Sequence, residues 1–174
     1  MSESVHKHRE SAPETVRVAI LTISDTRTRE TDTGGDTAEQ ILGEAGQEIV
    51  ARQIVRDEVN GIRTSLVDLL ANPEVDAVVT TGGTGISGRD TTYEGVDRMI
   101  EKKLDGFGEI FRALSYEEIG AAAILSRAVA GTVGTKLVAC LPGSRNAVRL
   151  AVEKLLVPEI SHIVFELRKH QEGS

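Results

Sequence analysis

Short apolar stretches alternate with amphipathic stretches along most of the chain. The runs Val16–Thr22, Gln47–Val55 and Asp76–Thr81 are rich in β-branched residues, which predicts buried strands. Between these runs the apolar residues recur at helical spacing, and Gly46 and Asn72-Pro73 are typical stop signals. The alternation predicts an α/β fold with helices on both faces of a mostly parallel sheet.

The predicted helices have recognisable start and stop signals. Asp36 is expected to cap the first helix, over Thr37–Ala45. Ser144 is expected to cap the last, over Arg145–Leu156, with a possible restart after Pro158. Asp105–Gly108 is expected to break the helical pattern that precedes it. Further helical stretches are predicted after Asp57, from Thr92, at Ile110–Tyr116 and at Glu118–Leu125.

Two late apolar runs predict a hairpin. Ala128–Val133 and Lys136–Leu141 are strand-like and are separated only by Gly134-Thr135, so one strand of the sheet is expected to be antiparallel. The elements together predict a three-layer α/β/α sandwich. No linker or repeat divides the chain, so we expect one domain over residues 16–170 after a disordered tail over residues 1–15.

Composition narrows the class of protein. Of the 174 residues, 40% are hydrophobic and only 3% are aromatic, which predicts an aliphatic core, and no apolar run is long enough to span a membrane. The net charge of −7 argues against nucleic-acid binding. Cys140, the single cysteine, lies in an apolar run and is expected to be a core thiol, which fits a reducing, cytoplasmic location. His6 and His8 are expected to belong to the tail and not to a metal site.

A glycine-rich segment is the strongest chemical signal. Gly82–Gly88 (GGTGISG) joins a predicted strand to a predicted helix, where backbone amides and the helix dipole favour a phosphate. A tight turn without a ligand is the alternative. Gly83, Gly85 and Gly88 match the dinucleotide pattern GxGxxG, which also requires an acidic residue about 20 positions later, at the end of the next strand. Asp105 has roughly that spacing but follows no predicted strand, so an NAD site is a weak alternative. No Gly-Lys-Ser/Thr triplet is present, so an ordinary P-loop is excluded.

Two carboxylates follow neighbouring predicted strands. Asp90 comes after the glycines and Asp57 comes after the preceding strand. Each is expected either to cap the next helix or to hold a divalent cation beside a phosphate, because Mg²⁺ is usually bound by one or two carboxylates and phosphate oxygens. Ser24-Asp25-Thr26 and Pro142–Ser144 likewise are either turns with a cap or contacts for an anionic ligand.

These motifs resemble those of the molybdenum-cofactor biosynthesis family of MoaB and MogA, and lie closer to the MoaB branch. The resemblance extends from about Val16 to Pro158, and the segments that carry it are Ile23–Thr26 (ISDT), Thr80–Gly85 (TTGGTG), Arg89-Asp90-x-Thr92, Gly106–Gly120, Leu125–Arg127 (LSR) and Leu141–Ser144 (LPGS). One departure is Tyr93, which stands where many relatives have proline.

The resemblance implies a fold, a ligand and a reaction. It implies a molybdopterin-binding fold, a homotrimer or hexamer, interaction with other cofactor-biosynthesis proteins, and transfer of AMP from Mg²⁺-ATP to the terminal phosphate of molybdopterin with release of pyrophosphate. By position, Asp57 and Asp90 correspond to the family's acidic metal-binding and catalytic residues. Arg89 could neutralise the negative charge that develops as pyrophosphate leaves. The other implied contacts are Ser24, Asp25, Gly82, Gly83, Thr84, Gly85, Ser115, Pro142, Gly143 and Ser144. A molybdopterin carrier without transferase activity is the alternative function.

Overall fold

A computed structural model describes residues 13–88 and 90–169 of the chain. The tail predicted over residues 1–15, with its two histidines, falls mostly outside this range, and so does Arg89. Among the described residues, no helix combines the length and the apolar character needed to cross a lipid bilayer.

The elements alternate as predicted. The strands are β1 (Arg17–Ile23), β2 (Glu48–Val55), β3 (Ala77–Thr81), β4 (Lys102–Lys103), β5 (Val129–Val133) and β6 (Lys136–Leu141). The helices are α1 (Thr33–Glu44), α2 (Val59–Ala71), α3 (Thr92–Met99), α4 (Asp105–Ile119), α5 (Arg145–Ala151) and α6 (Val157–Arg168). A 3₁₀ turn (Gly120–Leu125) follows α4, and a π segment (Val152–Leu156) joins α5 to α6.

The strands form one six-stranded sheet in the order β2-β1-β3-β6-β5-β4. Strands β2, β1, β3 and β6 run parallel to one another, and β5 is antiparallel to both of its neighbours, β6 and β4. The predicted hairpin and the single antiparallel strand are therefore confirmed.

Side-chain alternation along the strands produces two cores. Val18 and Ile20 of β1 pack in one core with residues of α1, α4, α5 and α6. Ala19 and Leu21 point to the opposite face, where they pack in a second core with residues of α2 and α3. These two helical layers around the sheet confirm the three-layer sandwich. Cys140 is fully buried in the second core, and burial raises the pKa of its thiol to about 12, so it is a core residue as predicted.

Two helix boundaries differ from the prediction. Helix α1 begins at Thr33 and not at Thr37, because Asp32, and not Asp36, accepts a hydrogen bond from the Gly35 amide and caps the helix. Asp105–Gly108, the predicted break, is instead the first turn of α4. The helical pattern is interrupted before α4, between Glu101 and Leu104. The amides of these two residues donate to carbonyl oxygens of β5, so the segment between them forms the short edge strand β4.

The last helix is continuous where the sequence predicts a break and a restart after Pro158. Arg145–Leu156 was expected to be one helix, with Ser144 as its cap, and the Ser144 hydroxyl does accept a hydrogen bond from the Ala147 amide. The helical path then continues through the π segment to Arg168. Pro158 does not end the helical path, because it closely follows the π segment, where the regular i→i−4 hydrogen bonding is already interrupted and a residue without an N–H is tolerated.

The sheet brings distant loops to one edge. The parallel strands β1, β2, β3 and β6 all end there, so the loops that follow them lie at the carboxyl edge. Because β5 is antiparallel, it starts at this edge, with Val129 paired to Cys140 near the end of β6. The residues just before β5, including Arg127, are therefore brought to the same edge.

Candidate functional site

The glycine loop (Gly82–Gly88) begins with two residues in a conformation that favours glycine. Gly82 and Gly83 have φ angles of +99° and +62°. A Cβ atom on Gly82 would lie 2.2 Å from the carbonyl oxygen of Ile23, and the Gly82 amide donates to the Leu141 carbonyl at 3.1 Å. The loop therefore passes between the ends of β1 and β6 so closely that no side chain fits.

The Pro142 loop (Pro142–Ser144) packs directly against the glycine loop. A Cβ atom on Gly143 would lie 3.1 Å from the Gly82 Cα, and the Thr81 hydroxyl donates to the Pro142 carbonyl at 3.3 Å. The structure thus brings together two loops that the sequence separates by about sixty residues. Ser144 takes the role of helix cap.

A small cleft of about 80 Å³ lies where these loops meet the start of α1. It is lined by Thr22, Ile23, Ser24, Arg27, Asp32, Gly34, Thr81, Gly82 and Gly143. Ser24 is held in place because its amide donates to the Val55 carbonyl at 2.8 Å, and its hydroxyl accepts from the Thr26 and Arg27 amides at 3.2 Å. We refer to this space as the α1 cleft.

Asp32 is a wall residue of the α1 cleft that the sequence did not single out. Its carboxylate is 2% exposed and accepts hydrogen bonds from the Thr22 hydroxyl at 2.7 Å and the Gly35 amide at 2.9 Å, and it pairs with Arg52 at 2.9 Å. Burial alone would raise the pKa of Asp32, but the hydrogen bonds from Arg52, Thr22 and Gly35 outweigh it, so the pKa is lowered. The carboxylate is therefore ionised at neutral pH and holds α1 against β1 and β2.

Asp57 lies against the glycine loop and does not cap α2. The N-cap residue of α2 is Glu58, which makes no capping hydrogen bond with its side chain. The Asp57 amide donates to an Asp25 carboxylate oxygen at 3.3 Å, and Asp57 Oδ2 lies 3.2 Å from the position that a Cβ atom on Gly83 would occupy. Asp57 therefore lies beside Gly83 and in contact with Asp25, and the binding of a ligand or metal ion by these residues stays a prediction.

Asp90 lies on the other half of the glycine loop. Its Oδ2 accepts hydrogen bonds from the Ser87 hydroxyl at 2.5 Å and the Ser87 amide at 2.9 Å, and lies 2.6 Å from a Cβ position on Gly85. Hydrogen bonding from Ser87 is the main cause of a lowered pKa at Asp90. The capping alternative for Asp90 is wrong, because Thr91 is the N-cap residue of α3.

The donor set at this loop fits a magnesium ion that also contacts a substrate. Asp57 supplies carboxylate oxygens beside Gly83 and Asp90 supplies them beside Gly85, and the pKa of Asp90 is lowered, which favours its ionised form. In the described part of the chain, no group of three or more His, Cys, Asp or Glu residues converges into a metal cage. A cation at this position would therefore need oxygen atoms from water or from a bound phosphate, which is the usual arrangement for Mg²⁺.

Arg127 is a second residue that sequence reasoning missed as a site residue, although it belongs to the quoted LSR motif. Its Nη1 donates to the Gly85 carbonyl at 2.9 Å, and its Nη2 pairs with Glu94. The guanidinium lies 4.3 Å from the centre of the Tyr93 ring. Tyr93, which stands where many relatives have proline, therefore stacks against Arg127, the residue that binds the Gly85 carbonyl of the glycine loop.

Two predicted contacts are buried. Thr84 is 5% exposed within the glycine loop, and Ser115 is 4% exposed within α4. Among the described residues, no hydrogen bond connects Ser115 with the glycine loop or the Pro142 loop, so its contact with a ligand stays a prediction.

Comparisons with known proteins identify the family and the fold. Residues 19–162 match the family described as "Probable molybdopterin binding domain". Molybdenum cofactor biosynthesis protein B of Bacillus subtilis is 48% identical over 167 residues, which are 95% of this chain and 98% of the relative. A crystal structure of a molybdenum cofactor biosynthesis protein B superposes with a TM-score of 0.89 at 48% identity, covering 92% of this chain and 100% of that one.

A more distant structure extends the likeness. The tungsten cofactor synthesizing protein MoaB from Pyrococcus furiosus superposes with a TM-score of 0.81 at 38% identity, over 90% of this chain and 99% of that one. The family match covers more than half of the chain, and these relatives are matched along nearly their whole length. This chain therefore belongs to the molybdopterin-binding family of molybdenum cofactor biosynthesis proteins, in the neighbourhood of MoaB.

Proposed function

We propose that this protein binds molybdopterin at the carboxyl edge of the sheet and transfers AMP from ATP to its terminal phosphate, with release of pyrophosphate. The observation that carries the proposal is the pair of carboxylates, Asp57 and Asp90, that pack against the two halves of the glycine loop. A protein that only binds a phosphorylated pterin has no need of two carboxyl groups beside the phosphate, because carboxylates repel it.

The glycine loop is suited to hold the phosphate of molybdopterin. Gly82 and Gly83 fix the path of the loop by packing against the Ile23 carbonyl and the Thr92 side chain, and the Gly82 amide is paired with Leu141. The amides that follow them in the loop are therefore the ones proposed to bind the phosphate. Ser24 and the Pro142 loop border the same space, and Arg27 supplies a positive charge. Since the chain has few aromatic residues, recognition by amides and hydroxyls replaces stacking on aromatic rings.

Asp57 and Asp90 are the residues that would hold Mg²⁺ on the nucleotide phosphates. The ion would offset the charge that develops as pyrophosphate leaves. In the transfer, an oxygen of the molybdopterin phosphate forms a bond to the α-phosphorus of ATP. The bond from that phosphorus to the bridging oxygen breaks, and pyrophosphate keeps the electron pair. The chain contributes positioning and electrostatics, which is most of what this chemistry requires.

The Asp90→Asn variant tests the transfer. It keeps the shape of the side chain and removes its charge, so molybdopterin should bind as in the wild type while pyrophosphate release falls by about a hundredfold or more. The Asp36→Asn variant is a matched control, because Asp36 is an exposed carboxylate on α1. Full-rate adenylylation by Asp90→Asn would show that the catalytic assignment is wrong.

A molybdopterin carrier is the second candidate function. It is favoured by the hydrogen bonds that the Ser87 amide and hydroxyl donate to Asp90 Oδ2, because they give this carboxylate a role in holding the loop that needs no metal ion. An assay of pyrophosphate release with wild-type protein, ATP, Mg²⁺ and molybdopterin separates the two candidates. Binding of molybdopterin without pyrophosphate release would establish the carrier.

An apolar surface on α4 and the following 3₁₀ turn supports a homo-oligomer, for which we propose a trimer or hexamer. Large exposed side chains cluster there in sequence: Ile110, Tyr116, Ile119, Ile124 and Leu125, which are between 52% and 84% exposed. Light scattering should give a mass of three or six chains for the wild type, and Ile124→Glu should lower it. Val67→Glu, at an exposed apolar position on α2, is the control.

A further inference from the structure

The two halves of the glycine loop are held in different ways. The first half packs closely between the ends of β1 and β6, whereas residues 85–88 are exposed and the Ile86 side chain is 72% exposed. From the rest of the described chain, two residues form hydrogen bonds with this exposed half. They are Asp90, which binds Ser87, and the distant Arg127, whose Nη1 donates to the Gly85 carbonyl at 2.9 Å.

Gly85 connects Arg127 to Asp90. Arg127 holds the carbonyl oxygen of Gly85, and a Cβ atom on the same glycine would lie 2.6 Å from Asp90 Oδ2. The Asp90 carboxylate therefore lies directly against the Gly85 backbone, where the hydroxyl and the amide of Ser87 donate to it at 2.5 and 2.9 Å. Because the two groups are in contact, a shift of the Gly85 peptide displaces the carboxylate.

The guanidinium group of Arg127 is itself held on two other sides. Its Nη2 forms an ion pair with Glu94, and the group lies 4.3 Å from the centre of the Tyr93 ring. Both partners belong to the first turn of α3, a helix that packs in the second core through Val96. A planar guanidinium suits this arrangement, because it donates in two directions and stacks through its face at the same time. Arg127 thus connects the exposed half of the loop to a packed helix.

We propose that Arg127 is a positioning residue for the transfer of AMP, with its guanidinium group held by Tyr93 and Glu94, an inference that rests on the proposed function. Arg127 fixes the Gly85 peptide and, through it, the position of the Asp90 carboxylate. A displacement of about 1 Å in a group of this kind can lower a rate by about a hundredfold. The first half of the loop is packed independently of Arg127, so the effect is expected in kcat and not in the KM for molybdopterin.

Steady-state kinetics of Arg127→Gln test this role, and Arg149→Gln is the matched control. Arg149 is also a partly exposed arginine in ion pairs, with Glu118 and Glu153, but it lies on α5. In an assay of pyrophosphate release with ATP, Mg²⁺ and molybdopterin, we expect Arg127→Gln to lower kcat by about tenfold to a hundredfold. The KM for molybdopterin should stay within about twofold of the wild-type value. Arg149→Gln should match the wild type in both constants.

Two rescue experiments separate positioning from a loss of structure. Tyr93→Leu removes the ring beside the guanidinium group and should lower kcat by up to about tenfold, whereas Tyr93→Phe keeps the ring and should restore kcat. In Arg127→Ala, added ethylguanidinium should occupy the place of the missing side chain and recover part of kcat. A small cation cannot restore activity to a variant that is misfolded.

Hydrogen exchange gives a readout that does not depend on the reaction. In peptide fragments that contain the glycine loop, followed by mass spectrometry, amides should exchange faster in Arg127→Gln than in the wild type or in Arg149→Gln. If the wild type transfers AMP and Arg127→Gln matches it in kcat and in exchange, the positioning role is overturned and the proposed function stands. A loss of kcat that neither rescue reverses also overturns the positioning role. If the wild type releases no pyrophosphate, both proposals are overturned, even where exchange shows that Arg127 holds the loop.

Discussion

Replacement of Asp32 by alanine removes the carboxylate that connects α1 to the sheet. The carboxylate is 2% exposed and accepts hydrogen bonds from Thr22 and from the Gly35 amide. It also pairs with Arg52, whose side chain is only 7% exposed. The variant therefore leaves a guanidinium group without its buried counter-ion and leaves α1 without its N-cap.

The expected loss in the free energy of unfolding is about 3 kcal/mol. Removal of one partner from a buried ion pair costs about 3–5 kcal/mol, and loss of an N-cap costs about 1 kcal/mol. We expect a loss at the lower end of the range for the buried ion pair, because Arg52 keeps its ion pairs with Asp36 and Glu39 in the variant. For a chain of this length, a loss of about 3 kcal/mol corresponds to a fall in Tm of about 6–12 °C.

Urea denaturation of Asp32→Ala and a control variant measures this loss. Asp36→Ala is the control, because Asp36 also pairs with Arg52 but has a side chain that is 51% exposed, for which we expect a loss below about 1 kcal/mol. If Asp32→Ala is no less stable than Asp36→Ala, Asp32 does not hold α1 through a buried ion pair.

The contribution of Asp32 to stability depends on pH in a defined direction. Its pKa is lowered in the folded protein, so its stabilisation is present above the pKa of an aspartate in the unfolded chain, about 4, and is lost as the pH falls through the lower folded value. The difference in unfolding free energy between wild type and Asp32→Ala should therefore be constant from neutral pH down to about pH 5 and shrink below about pH 4. A difference that grows on acidification would contradict the sign of this shift.

Three further predictions concern the site and the core. Gly83→Ala should lower molybdopterin affinity by about tenfold or more in a titration, because the φ of Gly83 is +62° and the new Cβ atom would lie 2.0 Å from Thr92 Oγ1. Gly88→Ala is the control and should bind molybdopterin normally, because no atom lies within 4 Å of the Gly88 Cβ position. Cys140 should resist iodoacetamide in the folded protein and react only after denaturation, as followed by mass spectrometry, because burial raises its pKa to about 12; rapid labelling of the native state would contradict its burial. Molybdopterin affinity should change little between low and moderate salt, since the acidic surface provides no long-range attraction and capture is local; a steep fall in affinity would refute local capture.

The strands and most helices followed from the sequence because their signals are local. Apolar spacing within a dozen residues identified the strands and the aliphatic core, and glycine and proline marked most of the helix ends. The prediction was wrong at Asp36 and at Asp105–Gly108, since the competing signals there come from distant residues. Asp32 became the cap through partners on β1 and β2, and the chain before Asp105 pairs with β5.

By itself, the sequence determined the fold class, the glycine loop and the two carboxylates, Asp57 and Asp90, as site candidates. The tertiary structure placed them against Gly83 and Gly85 and assigned the N-cap positions to Glu58 and Thr91, whereas their role in binding a cation stays a prediction. It also brought Arg127 to a loop forty-two residues away. Such contacts depend on the strand order β2-β1-β3-β6-β5-β4 and on the direction of β5, which follow from the packing of the whole chain and not from any local pattern.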